Sequence, residues 1–309
     1  MEGIQGRGPD APLVCLGEAL VDLICPDPVG DPAAARRFAV HPGGALANVA
    51  VAIRRAGSRA ALAGGCGDDE WGTYLREALS REGVELDLHA VVPGLSTPFA
   101  FATLDDAHEP SFRIHGDGIE EGVATLAGRE EELVAGAGAI VVGSNTLPGD
   151  RSRAITEEIA AAAAREGVPL LFDPNLRPGR WRDIEEARAL CLGLAERATV
   201  LKCNLAEARW LTGGDGGPGE LAAELAQRGP RLVVVTAGTR PAAARGAGEA
   251  EVTPPPVEMV SPLGAGDCFM GTLAAGLAAS GWRLDDVEGP MRDAARAGAD
   301  ACTRLGAFD

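Results

Sequence analysis

Lysine is almost absent from this chain: the 309 residues contain one, Lys202. That excludes the chemistries that need a lysine in a fixed setting. There is no G-x-x-x-x-G-K-[ST] loop, no kinase-type ATP-site lysine motif and no candidate Schiff-base site. A chain of this kind that moves phosphate must neutralise it with arginine, backbone amides and a divalent metal. Basic charge is scarce in general, with 28 Lys and Arg against 45 Asp and Glu, a net charge of −17. A nucleic-acid partner, which needs a basic stripe, is therefore excluded. C-x-x-C is missing as well. Seven cysteines are dispersed at 15, 25, 66, 191, 203, 268 and 302, and read as buried free thiols. The four histidines, His41, His89, His108 and His115, also lack metal-ligand spacing. No apolar run is long enough to span a membrane, so no membrane partner is expected. The opening residues, MEGIQGRGPD, show neither a basic n-region nor an apolar h-region. The chain is expected to be cytoplasmic, with residues 1–10 as a flexible tail. No G-x-G-x-x-G follows the first strand, and GEALVD (17–22) cannot make a pyrophosphate turn, which argues against a dinucleotide-dependent dehydrogenase.

What the chain does have is Ser261-Pro262-Leu263-Gly264-Ala265-Gly266-Asp267, running into CFMGTLAAGLAAS. Pro262 and the glycines disfavour helix before the turn, and the small apolar run beyond it reads as a buried helix. Gly264, Gly266 and Asp267 should then sit at a helix N-terminus, where unpaired N–H groups and the positive dipole end face outward. Such an end binds anions, and glycine lets a phosphate come close to the backbone. A carboxylate there has two readings. Asp is a favoured helix cap. It can also take a proton from an alcohol while the amides hold the developing charge.

The rest of the chain alternates apolar strands with amphipathic helices. Strands are expected at 13–24, 60–67, 139–144, 168–175, 199–204 and 231–238, and helices at 46–57, 68–83, 151–167, 184–198, 205–214 and 219–229, with two more from about 267 and 285. This alternation predicts an α/β fold, a mostly parallel sheet covered on both faces. TPFAFATLD (97–105) and PSFRIHG (110–116) flank a polar turn and read as an antiparallel hairpin. With strand candidates near 21–24 and 38–41, it forms a small separate sheet, a lid. Polar clusters fall where the parallel strands end, the place ligands bind in such sheets: Glu18 and Asp22, Asp173-Pro174-Asn175, Lys202-Cys203-Asn204 and Thr236-Ala237-Gly238.

From residue 13 onward these motifs resemble the ribokinase-like (PfkB-type) carbohydrate kinases, closest to the fructokinases. The resemblance rests on GEALVD (17–22), PGGALANVAVAIRRAG (42–57), GCGDDEWG (65–72), DPNLRPGRW (173–181), NLAE (204–207), VTAG (235–238) and GAGD (264–267), in the family's order. It implies one ribokinase-like three-layer domain over 11–309, with lid strands inserted near 21–41 and 97–116. It implies an ATP-dependent kinase acting on a primary hydroxyl of a small sugar, fructose first, with Mg2+ as cofactor. Asp267 would be the base, with Gly264, Ala265 and Gly266 as the anion turn. Asp22, Gly43, Gly44, Asn48 and Arg177 would hold sugar. Asn175, Lys202, Thr236, Gly238, Gly264 and Gly266 would face nucleotide, and Asn204 with Glu207 would hold magnesium.

Each residue also has a plainer reading: a strand-end turn for Asp22, an Asx turn for Asp173 and Asn175, a surface cation for Arg177, a first-turn helix acid for Glu207. Two departures from the family pattern stand out. Ser261-Pro262-Leu263 replaces an Asp-led segment, removing an Asp that helps order a monovalent-cation (K+) site in some relatives. Pro241, in Thr239-Arg240-Pro241, is expected to stiffen the loop over the nucleotide. His115-Gly116-Asp117-Gly118 also differs from the aromatic-Arg pattern after the hairpin in many fructokinases. Other acceptors implied within the family are 2-keto-3-deoxygluconate, ribose, tagatose phosphate and nucleosides. A catalytically silent scaffold is the rival from another class, and such members lose the base or the glycine turn. The lid's open edge and apolar face predict a homodimer through the lid.

Overall fold

Leu13 and Cys15 face one way along the first strand and Val14 and Leu16 the other, and all four are buried. A strand buried on both faces belongs inside a layered sheet. The computed structural model describes residues 10–29, 31–105, 110–116 and 118–308. Most of the expected flexible tail, the Asp106–His108 part of the hairpin turn and Asp117 lie outside the described residues. Strands run in chain order β1 (Leu13–Leu16), β2 (Leu20–Ile24), β3 (Ala39–Gly43), β4 (Ala60–Gly67), β5 (His89–Val92), β6 (Phe99–Leu104), β7 (Pro110–His115), β8 (Ala139–Gly143), β9 (Leu170–Asp173), β10 (Val200–Asn204), β11 (Leu232–Ala237), β12 (Arg240–Gly246) and β13 (Ala250–Val252). Helices are α1 (Ala45–Arg55), α2 (Glu70–Arg81), α3 (Gly118–Ala124), α4 (Glu130–Gly136), α5 (Asp150–Glu166), α6 (Ile184–Ala195), α7 (Leu205–Thr212), α8 (Pro218–Ala226), α9 (Ala265–Ala279) and α10 (Glu288–Ala301).

Among the described residues the large sheet has nine strands in the order β13-β12-β11-β10-β9-β8-β1-β4-β5. It is parallel from β11 to β5, and β12 and β13 are added antiparallel at one edge. One core packs α1, α2, α9 and α10 on one face, and a second packs α4 to α8 on the other. The α/β expectation therefore holds, with a helical layer on each side of the sheet. A smaller sheet, β3-β2-β6-β7, stands apart as the expected second layer of strands. Its inner face packs Ile24 and Ala102 on Leu263, just ahead of the glycine turn.

The expectation of one strand over 13–24 is corrected. Gly17, at φ +155°, lets the chain pass beneath Leu46 and leave the large sheet, so β1 and β2 lie in different sheets. Pro241 is corrected too. It is the second residue of β12, beside the register shift opposite Val235 and Ala237, and not a loop stiffener. An irregular pairing tolerates a residue without an N–H. The β12–β13 hairpin was not expected at all, because PAAARG has little β-branched content.

Candidate active site

The chain leaves β1 and runs toward β4 on one side, whereas β8 lies on the other. The crevice between the ends of β1 and β8 is the point where strand order reverses, the usual ligand crevice of an open α/β sheet. Glu18 and Asn145 meet there, Asn145 Nδ2 donating to Glu18 Oε1 at 2.8 Å. The same oxygen accepts from the amide of Ala45 at 3.2 Å, so a buried carboxylate anchors the first turn of α1. The Gly43-Gly44 pair is required for this approach. A Cβ on Gly44, at φ +100°, would lie 2.6 Å from the Glu18 carbonyl oxygen. A Cβ on Gly43 would lie 2.0 Å from Asp22 Oδ2, so the Asp22 carboxylate rests directly on this turn.

One turn into α1, Asn48 points across to α9. Its Nδ2 donates to Asp267 Oδ2 at 2.8 Å. Asn175, with φ +40° after Asp173-Pro174, donates its Nδ2 to Asp267 Oδ1 at 2.9 Å. Two segments far from it in sequence thus orient one buried carboxylate. Burial pushes the Asp267 carboxyl up to about 6, against the Asn48 hydrogen bond; Asp173 adds to the rise, while Lys202 and Arg177 oppose it. Asp22 is pushed up to about 7, first by burial and then by the Asp267 carboxylate, with Arg177 opposing. A carboxyl near 6 is charged at neutral pH and more basic than an ordinary aspartate, as a general base requires.

Gly264 is the N-cap of α9 in the left-handed region, φ +78°, and packs against Ala307. No side chain caps the helix, so Asp267 is not the cap that its residue type allows. The amide of Ala265 turns back onto the Pro262 carbonyl at 3.3 Å. The first amides left for an anion are those of Gly266 and Asp267, a narrower set than the expected turn. The preceding loop is held by the Cys302 carbonyl, which accepts from Val260 (2.8 Å) and Ser261 (3.1 Å).

Lys202 lies beside this helix end: a Cβ on Gly266 would be 3.0 Å from its Nζ. The ammonium is buried and pairs with Asp173 Oδ2 at 2.7 Å. Burial works against its charge, and the carboxylates of Asp173 and Glu207 outweigh that, holding its pKa up. Glu207 is raised by burial first and by Asp173 second, against Lys202. Glu207 and Asn204 form the capping box of α7. Glu207 Oε2 accepts from the Asn204 amide (2.9 Å) and Oε1 from the Leu176 amide (2.8 Å), and Asn204 Oδ1 accepts from the Glu207 amide (2.9 Å). Their oxygens are thus already engaged. Among the described residues no group of three or more His, Cys, Asp or Glu side chains is arranged to hold a metal. Such a donor set fits a magnesium ion that keeps its waters and rides on phosphates, not a cage built by protein.

Thr236, one residue before the end of β11, lies beside Asn204 in register, and Gly238, at φ +63°, begins the turn into β12. Both lie at the strand-end rim, and among the described residues the Asp267 carboxylate accepts from Asn48 and Asn175 and from neither of these. Arg177 places its guanidinium 4.6 Å from the centre of the Phe112 ring on the lid. Phe112 therefore joins the lid to the site. Phe99 and Phe101 lie on the opposite face of that sheet, where they pack with Phe38 and His115. Sequence reasoning missed Asn145 and the Asn48–Asp267–Asn175 bracket. Asn145 had a usable signal, since it follows a fully buried strand at the ligand-bearing end.

Residues 10–307 match the family model described as pfkB family carbohydrate kinase. The chain is 32% identical to fructokinase-1 of Oryza sativa subsp. japonica over 305 residues, 96% of this chain and 93% of that one. The solved structure of fructokinase with bound ATP from Xylella fastidiosa is similar at a TM-score of 0.82 and 27% identity, covering 97% of this chain and 94% of that one. A double mutant of fructokinase from Vibrio cholerae O395, in a form with fructose, ADP and potassium ion bound, is similar at a TM-score of 0.81 and 27% identity, covering 97% and 95%.

Proposed function

This chain belongs to the pfkB family of carbohydrate kinases, and from that premise we propose that it transfers the γ-phosphoryl group of ATP to a primary hydroxyl of a small sugar. The observation that carries the reading is the buried Asp267 carboxylate. Two amide side chains orient it at a helix N-terminus, beside unengaged backbone amides and an ammonium. Asp267 accepts the hydroxyl proton, and the alkoxide attacks the γ-phosphorus in line. The Gly266 and Asp267 amides, with Lys202 beside them, stabilise the charge on the transferring phosphoryl oxygens. Asp22, Asn48 and the Gly43-Gly44 turn hold sugar hydroxyls, which fixes the reactive one against Asp267. Arg177 clamps the acceptor from the lid side. Asn175, Thr236 and Gly238 line the nucleotide's approach. Magnesium, when bound with the nucleotide, would supply neutralisation of phosphate charge. Asn204 and Glu207 would hold its water shell. The lid excludes water that would otherwise accept the phosphoryl group.

Fructose is the first acceptor to test, because DPNLRPGRW resembles the fructokinase form and fructokinases are among the similar proteins. The lid's outward face carries Val40 and Phe99, 43% and 36% exposed, and a second copy of the chain covers it in a homodimer. An ADP-release assay across neutral sugars, sugar acids, sugar phosphates and nucleosides tests the activity. Sugar-dependent ADP release is expected; its absence for every acceptor would contradict the kinase. A monomer by ultracentrifugation at micromolar concentration would contradict the dimer alone.

A further inference from the structure

Behind the glycine turn runs the segment 302–308, which leaves α10 and belongs to none of the motifs read from the sequence. It meets the loop that carries the turn at three points. The Cys302 carbonyl accepts from the amides of Val260 and Ser261. Leu305 packs against the small cluster of Ile24, Ala102 and Leu263, which is separate from the two main cores. Ala307 fills the space that a side chain on Gly264 would need: a Cβ there would lie 2.5 Å from the Ala307 Cβ and 3.1 Å from its Cα. Arg304 Nη2 donates to the Ala307 carbonyl at 3.1 Å and closes the segment on itself. Phe308 is buried in the core that packs α9 and α10, which anchors the far end.

The other side of this segment meets the lid. Asp22 and His41 are cross-strand partners, so their side chains leave the same face of the lid, the face that also carries Ile24, Ala102 and Phe112. A Cβ on Gly306, at φ +81°, would lie 2.8 Å from His41 Nδ1 and 2.9 Å from its Cγ. The imidazole therefore rests on bare Gly306 backbone, with no room for a methyl group between them. Close-packed contacts of this kind transmit strain and do not absorb it. A packed path thus runs from His41 through Gly306 and Ala307 to Gly264, the N-cap of α9, two residues before the Gly266 amide. We propose that Ala307 and His41 are positioning residues for phosphoryl transfer. Ala307 props the glycine turn from behind, and His41 holds the Gly306-Ala307 step against it from the lid. This rests on the kinase reading of the turn and adds two residues that act through it. Anion-binding amides stabilise a transition state only when they are held in place beforehand. The consequence runs against location: His41 stands beside Asp22, on the acceptor side, yet its loss should be felt at the transferring phosphoryl group.

The test measures kcat and the acceptor KM, at saturating ATP, for wild type, A307G, A307S and H41A, with the acceptor that gives the highest kcat/KM in the ADP-release assay. A307G removes the methyl group that faces Gly264, and A307S keeps the Cβ. In A307G and H41A kcat should fall by about tenfold or more, the cost of misplacing a catalytic group by a fraction of an ångström to an ångström. Their acceptor KM should stay within about a factor of two of the wild type, and A307S should recover most of the rate. Wild-type kcat in A307G, or A307S as slow as A307G, would overturn the role of Ala307. A raised acceptor KM with unchanged kcat in H41A would overturn the role of His41 by making it an acceptor contact. If no acceptor releases ADP, the kinase reading fails, and amide hydrogen exchange of peptides spanning 260–268 decides the present point. Faster exchange there in A307G and in H41A supports the prop, and exchange matching the wild type overturns it.

Discussion

Replacing Asn48 by Ala should move the acid limb of catalysis upward in pH. The Asn48 Nδ2 bond to Asp267 Oδ2 is 2.8 Å long and buried, and it favours the charged carboxylate. A hydrogen bond to a charged group contributes about 1.5–3 kcal/mol, and one pH unit corresponds to about 1.4 kcal/mol. Losing the bond should therefore raise the carboxyl, which burial already holds near 6, by about one to two pH units. The sign follows from the role: the base works when deprotonated, so the rate falls as pH drops through its pKa. Wild-type kcat should fall below about pH 6, and the variant should already be losing rate near neutral pH. Asn175 still holds Oδ1, so the carboxylate keeps one anchor and the variant keeps measurable turnover. The assay is coupled ADP release at saturating acceptor and ATP from pH 5 to 9. A lower rate with the acid limb unmoved would refute the claim that Asn48 acts on the charge of Asp267.

Asp22→Ala should raise the acceptor KM by about tenfold or more through the loss of charge-assisted bonds to hydroxyls, and leave the ATP KM nearly unchanged, both read from initial rates. Gly266→Val would press a branched side chain toward Lys202 Nζ, 3.0 Å from the position of its Cβ. ATP KM should rise and kcat fall, with combined losses on the order of a hundredfold; native kinetics would make the turn a structural feature only. Glu207→Gln places an amide NH2 against one of two backbone N–H groups that now donate to carboxylate oxygens. Unfolding free energy should drop by about 1–3 kcal/mol in urea titration, and half-maximal rate should need more magnesium, whereas an unmoved magnesium curve would leave Glu207 as a helix cap alone.

The layers of this fold were legible because they depend on local pattern. Runs such as AIVVG and LVVVTA are apolar on both faces, and helices such as 150–166 end at a glycine in the left-handed region, here Gly167 at φ +67°. The position of Asp267 at a helix start was legible for the same reason. What could not be read is whatever depends on long-range closure. Asn48, Asn175 and Asp267 are separated by 219 and 92 residues along the chain from their partners, and no local periodicity reports that their side chains meet. The break at Gly17 was hidden because LVCLGEALVDLI reads as a single apolar run; the change of sheet is imposed by packing under Leu46. At Glu207 one spacing carries two readings. NLAE suggests metal chemistry, while the same spacing builds a capping box that engages both carboxylate oxygens.

The central claim is that Asp267 takes the proton from the acceptor hydroxyl, and Asp267→Asn tests it most directly. The amide is nearly isosteric, so the two-sided bracket from Asn48 and Asn175 can be re-formed with one amide turned, and the fold and ATP binding should survive. Sugar-dependent ADP release under saturating substrates should fall by about 10²–10⁴-fold, the usual contribution of a general base, while ATP affinity by calorimetry stays close to that of the wild type. An Asp267→Asn protein that binds ATP normally and turns over at near wild-type rate would contradict the account.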